Sequence, residues 1–344
     1  MEINELKKED EKAWDEYVFN HPDSTFFHQI GWKNVVERSY GHKPCYILAT
    51  EDNTIRGVLP LFFLKSFLFG KKLVSLPFAP YGGAIGEKNA VELLTDHAIE
   101  LTKELGANYL EIRRANNSSC SNSSNLLTNS LYATSVLELD KNPEIVWNEK
   151  LTRNKRKNVV KSQKRNLSVN FSNEIDEFYN ILAINMRDLG SPVHSKRFFN
   201  NILQEFHKSA KIQVVRFDGK PVYAAFYLFY KAAIINSWSS SLEDYRIYYP
   251  TDFGIWAAIE HGCRNNYRYY DFGRSQLGSD NMEFKERWGA ETKKLEYQYF
   301  LNKRGNIPDN TSANPNRQNF TKLWKILPLS IAHNLGPIFR KKIA

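Results

Sequence analysis

The alternation of apolar and polar residues divides the chain into short strands and helices whose order occurs twice. The first half has a predicted hairpin in CYILATEDNTIRGVLPLFF, an amphipathic helix at Val91–Leu105 and the strand NYLEIRR. The second half repeats this order with a hairpin turning at Asp218-Gly219, the strand AIINSWSSS, the helix DFGIWAAIEHGCRNN and the strand YRYYDFGR. Glu111 and Asp271 then lie 160 residues apart at equivalent points. The pattern predicts a tandem duplication of two α/β domains with mixed sheets and a cleft between them.

Candidate chemistry is concentrated in YYDFGRSQLGSDNMEFKERWG, from Tyr269 to Gly289. An apolar strand is predicted to run into a Gly-Arg-Ser loop, and a short helix carrying Phe284, Lys285 and Trp288 follows. Strand ends and the loops after them commonly hold the reactive groups of α/β enzymes. The segment contains four polar candidates, two of them cations that could share one anionic or carbonyl-bearing ligand: Asp271, Arg274, Ser275 and Lys285.

Changes in composition place the boundaries. We predict an N-terminal domain at 1–145, a basic connecting helix at 146–166, a C-terminal domain at 167–302 and a basic amphipathic tail at 303–344. Asn116–Asn129 is polar and predicts a surface loop, and Lys303–Asn319 predicts an irregular segment. Pro328 and Pro337 are expected to break the tail into short helices. The tail either lies on an anionic membrane or packs back across the two domains.

Composition indicates a globular protein rather than a disordered or membrane-spanning one. The chain has 344 residues, of which 42% are hydrophobic, and its longest apolar run is interrupted by Pro60 and Lys65. Three cysteines without CxxC spacing argue against a disulfide framework and a zinc site, so we predict no metal. The charged N-terminus shows no apolar signal segment. We therefore expect a cytoplasmic protein, with membrane association only through the tail.

The net charge of +9 comes mainly from one segment. Lys150–Arg165 holds eight basic residues and no acidic one, so the rest of the chain is close to +1. Three interpretations stay open: a solvated connecting helix, contact with the phosphates of a nucleotide-bearing donor or acceptor, and contact with transfer RNA or an anionic membrane. Interleaved aromatic residues, typical of grooves for single-stranded nucleic acid, are missing from this segment.

Five segments occur in one family's order: HPDSTFFHQIGW, GVLPLFF, SLPFAPYGG, MRDLGSPVHSKRFF and DFGRS with FKERWG. In them the chain resembles the FemAB-like acyl and aminoacyl transferases, a branch of the GNAT superfamily built from two GNAT-like domains. It looks most similar to the FemAB-related proteins of exosortase (PEP-CTERM) and exopolysaccharide systems. Two departures limit the resemblance. Val36 stands where the peptidoglycan-bridge enzymes have a lysine, and no RxxGxG/A loop for coenzyme A is visible.

The resemblance implies acyl transfer to an amine, which requires proximity, proton removal and stabilisation of an oxyanion, but no covalent residue. Lys285 matches the lysine of the family's FK pair, which implies that it stabilises the oxyanion or the leaving group. Asp271 is a candidate proton acceptor or a structural anchor for the loop. Arg274 suits bidentate binding of a phosphate or carboxylate, or a structural pair with Asp271. Ser275 is expected to contribute a hydroxyl to the same ligand.

Further substrate-binding candidates lie outside that segment. Glycines after Pro80 allow a ligand to approach the backbone closely. A histidine in the first family segment is either a base or a structural residue, and the arginine that ends the MRDLG helix either binds substrate or only caps it. The tyrosine before the GIWAAIEHG helix lies at a predicted phosphate site. These candidates are Tyr81, Gly82, Gly83, His28, Trp32, Arg187 and Tyr249.

The sequence thus predicts an N-acyltransferase that moves an acyl or aminoacyl group to an amine of a cell-envelope glycan or peptidoglycan precursor. Acyl-CoA and aminoacyl-tRNA stay open as donor substrates, and no tightly bound cofactor is expected. Expected partners are the glycan or peptide-linked precursor, the inner membrane surface and tRNA, but not DNA. The alternative is a non-catalytic envelope-assembly factor that binds anionic glycan, lipid or RNA through its basic helix and tail.

Overall fold

The computed structural model describes residues 1–66, 70–115, 125–309 and 314–343, which form two compact units. The first unit consists of Met1–Tyr132, Lys294–Asp309 and Lys341–Ala344. The second consists of Ala133–Lys293 and Asn310–Arg340. The domain boundaries drawn from the sequence stay predictions.

The first unit begins with short strands and two helices and ends with a long helix and a buried strand. Its elements are β1 (Glu2–Glu5), α1 (Glu11–Asn20), α2 (Ile30–Tyr40), β2 (Lys43–Pro44), β3 (Ile47–Glu51), β4 (Thr54–Leu59), β5 (Leu61–Ser66), β6 (Gly70–Ser75), β7 (Ile85–Gly86), α3 (Lys88–Glu104) and β8 (Tyr109–Ala115). The predicted hairpin is confirmed as β3 and β4, which turn at Asp52-Asn53 with positive φ at both residues. Strands β1, β3, β4 and β7 form one antiparallel sheet.

A parallel β-α-β motif lies at the centre of the first unit. Strand β6 pairs with β8 in parallel at Lys72↔Tyr109, Leu73↔Leu110 and Val74↔Glu111, and α3 makes the crossover. The crossover is a helix because parallel neighbours need a long connection. Helix α3 buries Ala90, Leu94 and Ala98 in the same core as strand residue Leu110.

Strand β9 (Leu127–Glu138) leads into the second unit. The elements that follow are α4 (Pro143–Ile145), α5 (Arg153–Gln163), β10 (Leu167–Ser172), α6 (Ile175–Asp188), α7 (Lys196–Glu205), β11 (Ala210–Phe217), β12 (Lys220–Tyr230), β13 (Ala233–Ser241), α8 (Pro250–Arg264), β14 (Tyr269–Gln276) and α9 (Asp280–Glu286). Strands β10 to β13 are antiparallel neighbours, and the β11–β12 hairpin turns at the predicted Asp218-Gly219. Residues 116–124 of the predicted loop Asn116–Asn129 lie outside the described residues. The last three residues of that loop begin β9.

The second unit repeats the parallel motif of the first. Strands β13 and β14 pair in parallel at Ala233↔Tyr269, Ile234↔Tyr270 and Ile235↔Asp271, with α8 as the crossover. Each motif therefore has three parallel residue pairs, and each series ends at an acidic residue, Glu111 or Asp271. This agreement in register confirms the duplicated α/β architecture predicted from element order.

Strand β15 (Glu291–Leu301) returns to the first unit, where Leu295–Leu301 pairs antiparallel with β8. The tail forms α10 (Pro315–Lys325) and α11 (Leu329–Lys342). Pro328 separates them as predicted, but the prediction of a break at Pro337 is wrong because this residue lies inside α11. Packing of Ala332 and Gly336 keeps the helix continuous despite the lost backbone donor. Within the described residues, no helix has the length and apolar character needed to cross a bilayer.

Candidate functional site

A sharp bend in β14 places the candidate groups of the second unit. Gly273 has φ +73°, a conformation that side chains disfavour, and its backbone N–H donates to Asp271 Oδ1 at 2.7 Å. Thr134 on β9 donates its hydroxyl to the same oxygen at 2.6 Å. Asp271 is therefore a buried anchor of the bend, and its proposed role as a base stays a prediction.

Lys285 lies against this bend. Its side chain is 5% exposed, and its Nζ donates to Gly273 O at 2.7 Å and to Arg274 O at 3.2 Å. The pKa of Lys285 is lowered to about 8, mainly by burial; the charge of Asp271 opposes this shift, and the charge of Arg274 adds to it. The two carbonyl contacts hold the Lys285 ammonium group in place at neutral pH, which is close to the pKa of this group.

Strands β13 and β14 carry polar groups just beyond the last residue pair that joins them in parallel. The pairing of β13 with β14 ends at Ile235↔Asp271 in the described structure, whereas the two strands continue to Ser241 and Gln276. An irregularity in the β12–β13 register inserts Ser237 at this point. Ser237 Oγ and Asn236 Oδ1 are buried and have no hydrogen-bond partner among the described residues. Buried polar atoms of this kind commonly bind water or ligand.

Two sequence-predicted residues of this segment occupy positions other than expected. Arg274 and Ser275 lie within β14, so the prediction of a Gly-Arg-Ser loop is wrong; the strand continues because the bend uses only Asp271 to Gly273. The Arg274 side chain is exposed. Ser275 is buried, and its Oγ accepts a hydrogen bond from Asn281 Nδ2 at 3.1 Å, which ties β14 to the first turn of α9.

A pocket of about 260 Å³ opens at the first turn of α8. Tyr249, the predicted residue before the helix, has φ +58° and forms one wall, and the ammonium of Lys161 lies 5.5 Å from the centre of its ring. Phe284, which precedes Lys285, forms another wall. A helix N-terminus exposes backbone N–H groups and carries partial positive charge, which suits an anion. The lining residues are Ser241, Arg246, Tyr249, Pro250, Thr251, Asp252 and Phe284.

Lys155 links the basic helix to this pocket. Its Nζ lies 2.5 Å from Asp252 Oδ1 and 3.8 Å from the centre of the Phe284 ring, and the side chain is 6% exposed. Burial lowers the pKa of Lys155, and the charge of Asp252 opposes that shift. The prediction of a solvated basic face thus fails at this residue. The sequence carried a signal, because buried Leu151, just before α5, is followed at spacing four by Lys155 and Val159 on the buried side of the helix.

Predicted residues of the first unit form a separate cluster. His28 Nε2 donates to Gly83 O at 3.0 Å, because a carbonyl oxygen only accepts. The other ring nitrogen of His28 then accepts from Thr25, whose hydroxyl lies 2.9 Å away. Trp32 Nε1 donates to Pro77 O at 3.3 Å. The two side chains therefore fix both ends of the loop from Pro77 to Gly83.

The glycines of that loop are required by close packing. Gly82 has φ +150°, and a Cβ there would lie 2.1 Å from Leu76 Cδ1. Its N–H donates to Arg113 O at 2.8 Å. Tyr81 is 8% exposed and contacts Phe27 edge to face, with ring centres 6.1 Å apart. These contacts hold the loop together, and a ligand role for its residues stays a prediction.

Arg187 lies at the end of α6, as predicted. Its Nε lies 2.5 Å from Asp188 Oδ1, and its Nη1 donates to Leu327 O at 3.3 Å. The guanidinium thereby holds the connection between α10 and α11. These contacts support a structural role for Arg187, and its substrate-binding role stays a prediction.

The first unit has a salt bridge at the point equivalent to the Asp271 bend. Glu111 Oε1 lies 2.7 Å from Nε of Arg113, and both side chains are buried. Arg113 stands 160 residues before Gly273, so an arginine here replaces the glycine of the bend. Arg113 also donates to Ala79 O at 3.0 Å. The bend geometry that receives Lys285 thus belongs to the second unit.

A family model matches the part of the chain that contains this bend. Residues 151–286, which include Asp271 and Lys285, match the model described as acetyltransferase (GNAT) domain. The chain is an acyltransferase. No curated protein matches the sequence.

Solved structures share the fold at low sequence identity. The crystal structure of FemX aligns with a TM-score of 0.70 and 15% identity over 88% of this chain and 98% of its own. The C-terminal domain of a putative lysylphosphatidylglycerol synthetase from Agrobacterium fabrum aligns with a TM-score of 0.58 and 13% identity, covering 86% and 92%. A tandem GNAT protein from the clavulanic acid biosynthesis pathway gives 0.55 and 11%, covering 87% and 97%. The fold of this chain is therefore that of the tandem GNAT proteins.

Proposed function

We propose that the second unit transfers an acyl or aminoacyl group to an amine, with Lys285 as the cation that stabilises the oxyanion. The observation that carries the proposal is the buried Lys285 ammonium, held by Gly273 O and Arg274 O. It lies beside the point where the pairing of β13 and β14 ends. A fixed charge in a dry site lowers the energy of a developing oxyanion at little reorganisation cost.

Direct attack by the amine fits the two cysteines that the structure describes better than a covalent thioester intermediate does. A neutral amine attacks a thioester or ester carbonyl and forms the C–N bond and the oxyanion. Collapse of the oxyanion breaks the C–S or C–O bond, and the leaving group departs as a thiol or alcohol with the proton that the amine loses. Burial raises the pKa of Cys263 to about 11 and also raises the pKa of Cys45. Either thiol is therefore a poor source of thiolate at neutral pH.

The pocket at the first turn of α8 is the proposed binding site for a phosphate of the donor. It combines a helix N-terminus with the Arg246 side chain and lies next to Lys161. Acyl-CoA and aminoacyl-tRNA both carry phosphate groups, so both stay candidates. For the acceptor we propose an amine of a cell-envelope glycan or peptidoglycan precursor, including exopolysaccharide precursors, modified on the cytoplasmic side. This is supported by the sequence resemblance and by the FemX-like fold.

Thermal unfolding with a panel of ligands tests donor binding. The panel contains coenzyme A, acetyl-CoA, longer acyl-CoAs, UDP-amino sugars and aminoacyl-tRNA. A ligand that binds the native protein raises the unfolding temperature, and the rise grows with the logarithm of the ligand concentration once that exceeds the dissociation constant. A hit is then used to measure transfer to amine acceptors with the wild type, Lys285→Ala and the exposed control Lys293→Ala.

We expect Lys285→Ala to lower kcat by about 10²–10³, the usual loss when one oxyanion donor is removed. Lys293→Ala is expected to behave as wild type because its side chain is exposed. Unchanged turnover in Lys285→Ala would show that the oxyanion is stabilised elsewhere.

A further inference from the structure

The tail carries an unusual distribution of charge. From residue 310 to residue 344 the sequence contains no Asp or Glu. It contains six cations: Arg317, Lys322, Lys325, Arg340, Lys341 and Lys342. A segment of this kind attracts an anionic surface and repels a second copy of itself.

Helices α10 and α11 form a helical hairpin, called the tail hairpin below. Its interior is aromatic: Phe339 lies 5.7 Å from Phe320 and 5.4 Å from Trp324 between ring centres. One face of the hairpin packs on the loop after α6. There Arg340 Nε donates to His194 Nε2 at 3.0 Å, and Gly336 lies against Val193.

Both helices expose aliphatic side chains away from these contacts. Leu323 on α10 is 64% exposed, and Ile326, which follows the helix directly, is 78% exposed. On α11, Ile331, Leu335 and Ile338 are exposed and follow the spacing i, i+4, i+7, which puts them on one side of the helix. Buried Ala332 and Gly336 lie on a different side. Such a row of exposed aliphatic residues is unusual on a surface that faces only water.

We propose that the tail hairpin binds the surface of an anionic lipid bilayer. The aliphatic rows enter the boundary between headgroups and acyl chains, and the lysines contact the lipid phosphates. A second copy of the chain is a poorer occupant, since its hairpin carries the same positive charges. The inference is independent of the acyl-transfer site, because it uses none of the residues proposed for catalysis.

Sedimentation of the full chain with vesicles tests this binding. We expect the protein to sediment with vesicles of phosphatidylcholine and phosphatidylglycerol, and much less with pure phosphatidylcholine. The combined variant Ile331→Ser, Leu335→Ser, Ile338→Ser is expected to lose most of the binding. Replacement of the pair Phe19 and Ile247 by Ser is the matched apolar control, because both residues are strongly exposed elsewhere.

The electrostatic contribution is tested by removing equal charge from two places. Lys322→Gln, Lys325→Gln, Lys341→Gln in combination should weaken binding to the anionic vesicles by about 100-fold, at roughly fivefold for each lysine. Lys157→Gln, Lys161→Gln, Lys164→Gln removes the same charge from exposed positions of α5 and of the residue that caps it, and should change binding far less.

Thermal unfolding of each variant checks that the fold is kept, as expected for exposed positions. Absence of binding by the wild type would overturn the proposal, and so would equal binding by the serine variant. It would also be overturned if the wild type formed a concentration-dependent dimer without binding vesicles, and if the serine variant no longer formed that dimer. If the tail and α5 charge variants lost the same amount of vesicle binding, the attraction would come from net charge alone.

Discussion

Lys285 is both the proposed oxyanion donor and a group that titrates within an accessible pH range. Burial brings its pKa to about 8, so the ammonium is present below that pH and is lost as the pH rises through it. If the cation is required, kcat should fall with increasing pH above about 8, approaching tenfold per pH unit. A pH–rate profile with saturating donor and acceptor measures this.

Lys285→Arg separates charge from proton transfer. An arginine keeps its charge throughout this pH range, so we expect a slower enzyme whose rate no longer falls near pH 8. A wild-type rate that instead increases through pH 8 would identify neutral Lys285 as a base.

Asp271 influences the reaction through Lys285 in our interpretation. Its negative charge raises the pKa of Lys285, and its Oδ1 accepts hydrogen bonds from Gly273 N and Thr134 Oγ1. Asp271→Asn keeps an acceptor oxygen but removes the charge. We expect it to retain activity at neutral pH and to move the alkaline fall in rate to lower pH.

The same pH–rate series decides between the two roles of Asp271. Loss of activity at every pH, in a variant that still unfolds cooperatively, would identify Asp271 as the proton acceptor instead. Asp271→Ala is the structural control: it removes the acceptor as well, and we expect it to lower the free energy of unfolding by about 3 kcal/mol.

At the scale of elements, sequence periodicity predicted the order of strands and helices well. Hairpins with polar turns and an amphipathic crossover helix leave local signals, so the offset between Glu111 and Asp271 was visible before the register was known. The pairing of β15 with β8 left no such signal. It joins residues far apart in the chain, and local pattern does not specify such partners.

Misinterpreted residues share a physical cause. The charge of Lys155 favours exposure to solvent, whereas Asp252 and Phe284 provide a buried partner and an aromatic face. Pro337 was expected to end a helix, although packing of neighbouring Gly336 against Val193 holds the helix together. In each case tertiary contacts outweighed the local preference of the residue type, and a single sequence does not show those contacts.

The Lys155–Asp252 ion pair attaches α5 to the first turn of α8. Lys155→Met should lower the free energy of unfolding by about 3–5 kcal/mol, because it leaves a buried carboxylate without its cation. Lys157→Met is the control on the exposed side of α5 and should change stability by less than about 0.5 kcal/mol. Urea denaturation measures both.

Adding Asp252→Asn to Lys155→Met should recover part of the lost stability, since no buried charge then remains unpaired. Equal stabilities of the two single lysine variants would mean that the ion pair contributes nothing to the attachment of α5.

At the scale of the whole molecule, positive charge and chemistry are concentrated in different segments. Lys150–Arg165 and the tail from residue 310 together contain fourteen basic and no acidic residues, so the rest of the chain has a net charge of −5. The proposed acyl-transfer groups lie outside both segments. In our proposal the charge of the tail serves a binding surface, and the tail must remain attached to the second unit to present it.

Gly190 is central to that attachment. It has φ +75°, and a Cβ there would lie 2.4 Å from Thr321 Cγ2 and 2.6 Å from Thr321 O on α10. Gly190→Ala should therefore push α10 away from the loop after α6 and increase hydrogen exchange at the backbone amides of the tail hairpin. Mass spectrometry of deuterated peptides measures this exchange along the whole chain.

Gly219→Ala provides the matched control. Gly219 has φ +79°, so alanine meets the same backbone strain of about 1–2 kcal/mol, but a Cβ there has nothing within 4 Å. We expect Gly219→Ala to lower overall stability without selective exchange in the tail. If the two variants gave the same exchange pattern, the contact between Gly190 and Thr321 would not be what holds the tail hairpin, and the lipid-facing surface would need another anchor.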